Sequence, residues 1–327
     1  MKESRNNYPI SDKILCSICN EKNAIYKRKH SGQYLCETCF ISSIEKIINK
    51  TISKYNLLIP KDKIIVGVSG GKDSITLLYN LKKIQEKTYN SKPLIAISID
   101  EGIEDYSPSR MKIVEKVCND FNIRLEAISF QQYITKSLDQ IVEFKENNKN
   151  FRYPCNYCAT IKRRLLNDVA KDLGGTVLAL GHNLTDISET YLMNILYNRL
   201  PLIARGGLLR KTKKQDNIYL ERIFPLMNIP ENEIDLYVKL KNLDYYRALC
   251  PYRINYPILR KKVYNFIQNL KKTSPEIEFN LLNGSLELST LLEEKYSGKE
   301  IFYCPECGYP TPKPSKCRYC SLLEDLI

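Results

Sequence analysis

A chain of 327 residues is long enough for one principal domain with appendages, and 50 Lys plus Arg against 37 Asp plus Glu give it a formal charge of +13. No apolar run approaches the roughly 18 residues of a membrane helix and Met1 to Pro9 is polar, so neither a membrane span nor a signal peptide is expected and a soluble cytoplasmic protein is. The charge suits a polyanionic partner such as nucleic acid, although a bias toward Lys, Ile, Asn and Tyr accounts for the lysines almost as well, and about four charges vanish if eight cysteines bind two Zn²⁺ as thiolates.

Ten of the twelve cysteines fall into five Cys-x-x-Cys pairs, with Cys118 and Cys250 apart. In a cytoplasmic chain such pairs read as metal or redox sites rather than disulfides. Cys16, Cys19, Cys36 and Cys39 come first, and their spacing suits two knuckles over one tetrahedral ion, a zinc. His30 lies between the knuckles, but four cysteines already fill the site, so a surface histidine is expected there. The segment Phe40 to Asn56 follows, with Ile41, Ile44, Ile47, Ile48 and Ile52 on one helical stripe.

From Lys63 to about Asn198 strands and helices alternate. Strands are expected at Ile64 to Val68, Leu94 to Ile99, Ile123 to Phe130 and Thr176 to Leu180. Helices are expected at Ser74 to Gln85, Pro108 to Asp120, Ile161 to Leu173 and Asp186 to Tyr197. Short apolar strands between amphipathic helices predict an α/β fold, a parallel sheet with helices on both faces and ligands at the carboxyl ends of the strands.

The first strand runs into Ser69, Gly70, Gly71, Lys72, Asp73 and Ser74. Two glycines allow a sharp turn and a close ligand, and the unpaired N–H groups of the new helix suit an anion. The spacing is neither Walker A nor a dinucleotide fingerprint. Ser-Gly-Gly-Lys-Asp-Ser resembles the PP-loop of the ATP pyrophosphatases, which implies Mg-ATP cleaved between its α and β phosphates and an adenylated substrate.

The second strand ends at Ser98 and Asp100, where a carboxylate can meet a ribose, an adenine or a Mg²⁺ ion, or simply face solvent. The fourth ends at Gly181, His182 and Asn183, with Asp186 in the next helix's first turn, where capping alone would favour it. His182 beside a glycine at a strand end favours a site role. Between strands three and four lie Phe151 to Cys158, containing Cys155 and Cys158, then Lys162, Arg163 and Arg164. With Cys250, followed by Pro251, these thiols suit three irons of a [4Fe–4S] cluster with the fourth open. A Cys155–Cys158 redox pair carrying a persulfide is the alternative, and the third thiolate favours the cluster.

Further on, Gly206 and Gly207 with Arg210, Lys211, Lys213 and Lys214 form a basic loop, either solvated or on RNA phosphates. Helical spacing marks Glu231 to Leu243 and Leu259 to Leu270, with Lys261, Lys262, Lys271 and Lys272 as a second basic face. Leu281 to Gly284 reads as a turn before a helix Ser285 to Lys295. Cys304, Cys307, Cys317 and Cys320 form a compact zinc-ribbon spacing, and Tyr303, Tyr309, Lys313, Lys316, Arg318 and Tyr319 mix aromatic and basic groups in the manner of an RNA contact.

Taken together, the Ser69 to Ser74 loop, Cys155 and Cys158 with Lys162, Gly181-His182-Asn183 with Asp186, Cys250-Pro251 and the terminal Cys-x-x-Cys pairs resemble the tRNA 2-thiouridine synthetases of the TtuA and cytoplasmic wobble-thiolase group. The resemblance covers nearly the whole chain. It implies an N-terminal zinc finger (1–42), a linking helix (43–62), a PP-loop catalytic domain (63–252), a helical extension (253–300) and a C-terminal zinc ribbon (301–327). It implies an ATP-dependent sulfurtransferase that adenylates C2 of a tRNA uridine and replaces the oxygen with sulfur from sulfide or a ubiquitin-like thiocarboxylate carrier, and a homodimer. Cys155, Cys158 and Cys250 would hold the [4Fe–4S] cluster, and Lys162 and Asp186 would be essential. The family usually has two adjacent acids after Gly-His-Asn-x; here the first is Thr185, which leaves the nucleotide or metal contact there open to change. Other PP-loop enzymes, an amidotransferase or a tRNA-lysidine-type ligase, share the ATP chemistry without the three internal cysteines. A non-catalytic zinc protein that binds RNA would leave the phosphate loop unexplained.

Overall fold

The computed structural model describes residues 14–146, 152–204, 208–210, 219–255, 259–296 and 302–326. Gly206, Gly207, Lys211, Lys213 and Lys214 of the expected basic loop, and Phe151 before the internal cysteine pair, lie outside the described residues.

The chain opens with a hairpin, β1 (Tyr26–Arg28) and β2 (Gln33–Leu35), and continues into α1 (Glu37–Lys54). Next come β3 (Ile64–Gly67), α2 (Lys72–Lys87), β4 (Ile95–Asp100), α3 (Ser107–Asp120), β5 (Arg124–Ser129), α4 (Phe130–Ile134), α5 (Leu138–Glu146), α6 (Pro154–Asp172), β6 (Val177–Leu180), α7 (Leu184–Leu196), α8 (Leu200–Ala204) and β7 (Glu221–Ile223). The remainder is α9 (Glu231–Leu240), α10 (Pro251–Asn255), α11 (Leu259–Leu270), α12 (Ile277–Tyr296), a hairpin of β8 (Phe302–Tyr303) and β9 (Pro310–Thr311), and α13 (Arg318–Glu324).

Among the described residues β5, β4, β3, β6 and β7 form, in that order, one parallel sheet. The period-2 alternation of its strands feeds two cores. Ile64, Val66 and Ala96 point into one, with α1, α2 and α9; Ile65, Ile95 and Ile97 point into the other, with α5, α6 and α13. Chain order reverses at β3, whose neighbours are β4 and β6, so the crevice of this doubly wound sheet opens beyond the ends of β3 and β6.

The terminal modules are built into these cores. Cys16, Leu35 and Cys36 are buried with Phe40, Ile44 and Ile48 of α1 in the first, and Leu322 and Leu326 are buried in the second. Arg28 anchors the N-terminal module by a bidentate, buried pair with Glu233 of α9, at 3.0 and 2.7 Å. Arg164 of α6 anchors the C-terminal one, its guanidinium stacked on Tyr309 and Tyr319 at 4.1 and 5.1 Å and donating to Cys307 Sγ at 3.3 Å.

Two expectations change. The turn at Leu281 to Gly284 is absent, because α12 runs unbroken from Ile277 to Tyr296. Gly284 serves packing instead, since a Cβ there would lie 3.4 Å from Tyr191 Oη on α7. Several basic or aromatic residues left open to solvent or RNA are paired internally: Arg210 with Asp62 at 2.5 and 3.0 Å, Lys271 with Glu278 at 2.7 Å, Lys316 with Glu306 and Glu324, and Tyr309 and Tyr319 with Arg164. Lys261, Lys262, Lys272, Lys313 and Arg318 remain exposed. No helix among the described residues is long and apolar enough to cross a membrane.

Candidate active site

The phosphate loop is the turn from β3 into α2. Gly70 has φ +79°, in the left-handed region, and a Cβ on it would meet Arg110 Cγ and Val114 Cγ2 at 3.1 Å, so both conformation and space call for glycine. Ser74 Oγ accepts the Ser69 N–H at 3.1 Å and the Ser69 hydroxyl at 3.2 Å and donates to the Gly71 carbonyl at 3.0 Å, which locks the turn. Gly71 occupies the N-cap of α2 with no side-chain cap, leaving the first-turn N–H groups to an incoming anion. Lys72 Nζ lies between Glu231 at 2.8 Å and Asp73 at 3.0 Å. Burial opposes its charge, but the two carboxylates win and raise its pKa, so it stays an ammonium.

The end of β6 is pressed against this helix start. A Cβ on Gly181 would lie 3.0 Å from Ser74 N and 3.1 Å from the Asp73 carbonyl carbon. Asn183 then caps α7 in a reciprocal box with Asp186, its side chain accepting from Asp186 N at 3.0 Å, and its Nδ2 donates to Asp73 Oδ1 at 2.9 Å. Asp186 therefore caps, as its position alone favoured, and it also faces Arg260 at 3.4 Å. The same arginine reaches Glu189 at 3.0 Å, whose pKa burial pushes up to about 7 against the pull of the guanidinium. His182 is exposed at one edge, with its ring edge-on to Phe224 at 5.2 Å. Thr185 is buried and donates to Glu278 of α12 at 2.9 Å.

On the other side of the loop, Asp100 is occupied with its own turn, accepting the Gly102 N–H at 2.7 Å. Ser98 is buried beneath the loop and accepts from Arg110 at 3.4 Å. The carboxylate that matters for geometry is its neighbour, Glu101, 3% exposed. One of its oxygens pairs with Lys162, and the other accepts from Arg110 Nη2 at 2.7 Å. Arg110 Nη1 in turn donates to the Ser69 carbonyl at 3.1 Å. Sequence reasoning missed Glu101, Arg110, Glu231 and Arg260; a second acid at the end of a buried strand was a signal for Glu101, and nothing local marked the others.

Lys162 stands on α6, two turns after Cys155 and one after Cys158. Cys250 comes from the segment leading into α10. All three thiols are free and partly buried, and Cys158 and Cys250 pack against one core. Burial raises the pKa of Cys155, with the neighbouring Cys250 adding to it and Arg253 and Lys162 opposing. Burial pushes Cys158 up to about 11 against the pull of Lys162, with Glu101, Cys250 and Cys155 raising it further. The thiols thus lie within one another's electrostatic reach. Their sulfurs do not close on a single point as ligands of one ion do, whereas cluster ligands sit on separate irons and stand farther apart. Three soft donors with Lys162 and Arg253 beside them suit a cluster.

Among the described residues, Cys16, Cys19, Cys36 and Cys39, and Cys304, Cys307, Cys317 and Cys320, are the groups whose ligand atoms do converge, within 4.8 Å in each. Backbone N–H groups already point at sulfur, from Cys317 to Cys304 at 3.2 Å and from Cys320 to Cys317 at 3.4 Å, as thiolate sites require. His30 belongs to neither quartet and is half-buried; its ring packs on Phe279 at 4.5 Å, and burial with Arg28 and Lys271 lowers its pKa to about 4.

Residues 37–267 match the PP-loop domain family, and residues 15–41 match the N-terminal LIM domain of 2-thiouridine synthetase TtuA. A Methanocaldococcus jannaschii protein named "Probable sulfurtransferase" is 35% identical over 97% of this chain and 89% of its own length. Cytoplasmic tRNA 2-thiolation protein 1 is 30% identical in Aspergillus niger, over 95% and 88% of the two chains, and 32% identical in Drosophila melanogaster, over 96% and 88%. The U34-tRNA thiolase NcsA of Methanococcus maripaludis, solved with its [4Fe–4S] cluster, superposes with a TM-score of 0.79 at 30% identity, covering 97% of both chains.

Proposed function

The chain belongs to the PP-loop family that includes the tRNA 2-thiolation proteins, and on that premise we propose that it is an ATP-dependent tRNA sulfurtransferase making 2-thiouridine. The observation that carries this reading is the ion-paired chain from Ser69 through Arg110 and Glu101 to Lys162, which sets the phosphate loop and the Cys155, Cys158 and Cys250 centre side by side at one end of the sheet.

The α2 N–H groups, Ser69, Ser74 and Lys72 bind the ATP phosphates, with Lys72 leaving Glu231 to do so. Asp100, Gly181 and His182 line the nucleotide site, with Ser98 buried beneath the loop. Asp73 and Glu231 are the carboxylates that would hold a Mg²⁺ ion brought by the nucleotide, whose charge would offset that of the phosphates. The uridine C2 oxygen attacks the α phosphate and pyrophosphate leaves; sulfur then bonds to C2 as the C2–O bond to AMP breaks. Lys162, held by Glu101, neutralises charge developing on the α phosphate. Asp186 fixes the β6–α7 turn, so that Asn183 holds Asp73 in place. A [4Fe–4S] cluster on Cys155, Cys158 and Cys250 would supply an open iron to carry sulfur from sulfide or a thiocarboxylate carrier. The two four-cysteine groups are assigned zinc, in tetrahedral thiolate sites that support the fold. The enzyme would work in the cytoplasm, as its relatives' names say of them.

Anaerobically purified protein incubated with tRNA, ATP and sulfide is expected to release AMP and pyrophosphate only with tRNA present and to yield 2-thiouridine by nucleoside mass spectrometry. Cys250→Ala should lose at least about a hundredfold in thiolation, as loss of an essential transition-state group does, together with its cluster iron. Full thiolation by Cys250→Ala, or wild-type protein without iron and sulfide, would sink the cluster mechanism.

A further inference from the structure

Two consecutive carbonyls of the phosphate loop are tied to the two halves of the thiol centre. The Ser69 carbonyl accepts from Arg110 Nη1 at 3.1 Å. Arg110 also donates to Ile99 O at 2.5 Å and to Glu101 at 2.7 Å, and Glu101 holds Lys162 on the α6 turn after Cys158. The side chains of Arg110 and Glu101 are 3% and 4% exposed, so the middle of this relay is buried, while Lys162 at its end is partly exposed. The next carbonyl, that of Gly70, accepts the Tyr246 N–H at 2.8 Å, four residues before Cys250. Tyr246 is steadied by Tyr106, edge-on at 5.4 Å, whose own ring lies 5.8 Å from the Arg110 guanidinium.

The burial of this arrangement argues for a purpose beyond stability. Burying the Arg110–Glu101 pair costs desolvation, and replacing such a pair by apolar groups is often neutral or stabilising. A fixed geometry is useful where an anion comes and goes, and the phosphate loop beside the pair is such a place. The branches differ in kind: one is a side-chain relay ending on α6, the other a single backbone bond ending on the Cys250 segment.

We propose that Glu101 and Arg110 are positioning residues that couple nucleotide occupancy of the phosphate loop to the order of the Cys155–Cys158 turn, with the Tyr246 N–H doing the same for the Cys250 segment. The inference rests on the reading of the loop as an ATP site. Bound phosphate stiffens residues 69–74; the Ser69 and Gly70 carbonyls are thereby fixed, and Arg110 and Tyr246 transmit the constraint to the two segments that carry the thiols. Sulfur delivery would then be competent only when the nucleotide is in place.

The test is hydrogen–deuterium exchange of the full-length, anaerobically handled protein with and without an ATP analogue carrying a methylene bridge between the α and β phosphates, with affinity measured by calorimetry. In wild type the analogue should slow exchange in residues 155–162 and 246–250 by about fivefold or more, the lower end of ordinary coupling between sites. Glu101→Gln, which is isosteric, and Arg110→Lys, which keeps the charge but not the forked reach, should bind the analogue within about threefold of wild type yet lose the slowing in 155–162. Tyr246→Pro removes the donor to Gly70 and should lose it in 246–250 alone. Slowing that persists in all three variants, or wild type that binds the analogue without slowing, overturns the coupling. Wild type that binds no analogue overturns the ATP reading as well, so the two failures are told apart.

Discussion

Thr185 is buried and donates its hydroxyl to Glu278, whose other oxygen holds Lys271 at 2.7 Å, and it also accepts the Glu231 N–H at 3.3 Å. One cation serves one carboxylate in this pocket. An acid at 185 would place a second buried negative charge against Glu278, so the departure from the family's pair of acids is matched by a carboxylate delivered from α12. Thr185→Asp is expected to destabilise the fold by about 3 kcal/mol, the range for an uncompensated buried charge, and Glu278→Gln in the same chain should recover at least half of that. Urea unfolding of both variants decides it; a loss below about 1 kcal/mol in the single variant would show that the pocket is wetter than its burial indicates. The sequence displayed Thr185 as an anomaly but could not supply its partner, because Glu278 is 93 residues away and no short-range pattern connects them. Arg110 and Glu101 are only nine residues apart, but the turn that folds one onto the other carries no periodicity to read. By contrast, the loop from Ser69 to Ser74 was legible because its glycines and hydroxyls act on neighbours within five residues.

At the scale of elements, periodicity located the strands β3 to β6 and the helices α2, α3 and α7 to within a few residues at most ends, since buried parallel strands and amphipathic helices write their burial directly into the chain, but it left α5 (Leu138–Glu146) unassigned. α6 was a further exception, beginning at Pro154 rather than Ile161, because its first turns carry polar residues and cysteines chosen for a site. β7, three residues long, and α4, five, were too short to leave a period. Glycine misled once: Gly284 suggested a turn and is a packing notch in α12. Gly181 is a notch of the same kind with a more demanding neighbour, since the atoms it meets are backbone of α2. Gly181→Ala should push the first turn of α2 outward by a few tenths of an ångström, cost about 1 to 3 kcal/mol of stability through overpacking, and weaken ATP binding about tenfold by misaligning the N–H groups. Calorimetry and thermal melts read both numbers. Nucleotide affinity equal to wild type would mean that β6 does not set the loop.

For the whole molecule, the two four-cysteine modules sit on opposite faces of the sheet and therefore guard different halves of the site. The N-terminal module shares its core with α1, α2 and α9, the elements behind the phosphate loop, and is bolted to α9 by the Arg28–Glu233 pair. The C-terminal module shares its core with α6, and it places Leu322 and Leu326 among Tyr157, Ile161 and Leu165, directly behind Cys158 and Lys162. Removing one metal ligand from each should produce crossed effects. Cys36→Ser is expected to lose one equivalent of zinc, to speed hydrogen exchange in α1 and α9, and to weaken nucleotide binding while leaving α6 protected. Cys317→Ser should also lose one equivalent, but should instead expose α6 to exchange and release iron from the thiol centre while ATP binding stays within about threefold. Local opening follows shared packing, so a defect spreads first through the core to which it belongs. Metal analysis, exchange mapping and calorimetry on the two variants separate the cases, and an identical exchange pattern in both would mean that the sheet transmits the defect across its faces and that the modules do not divide the site between them.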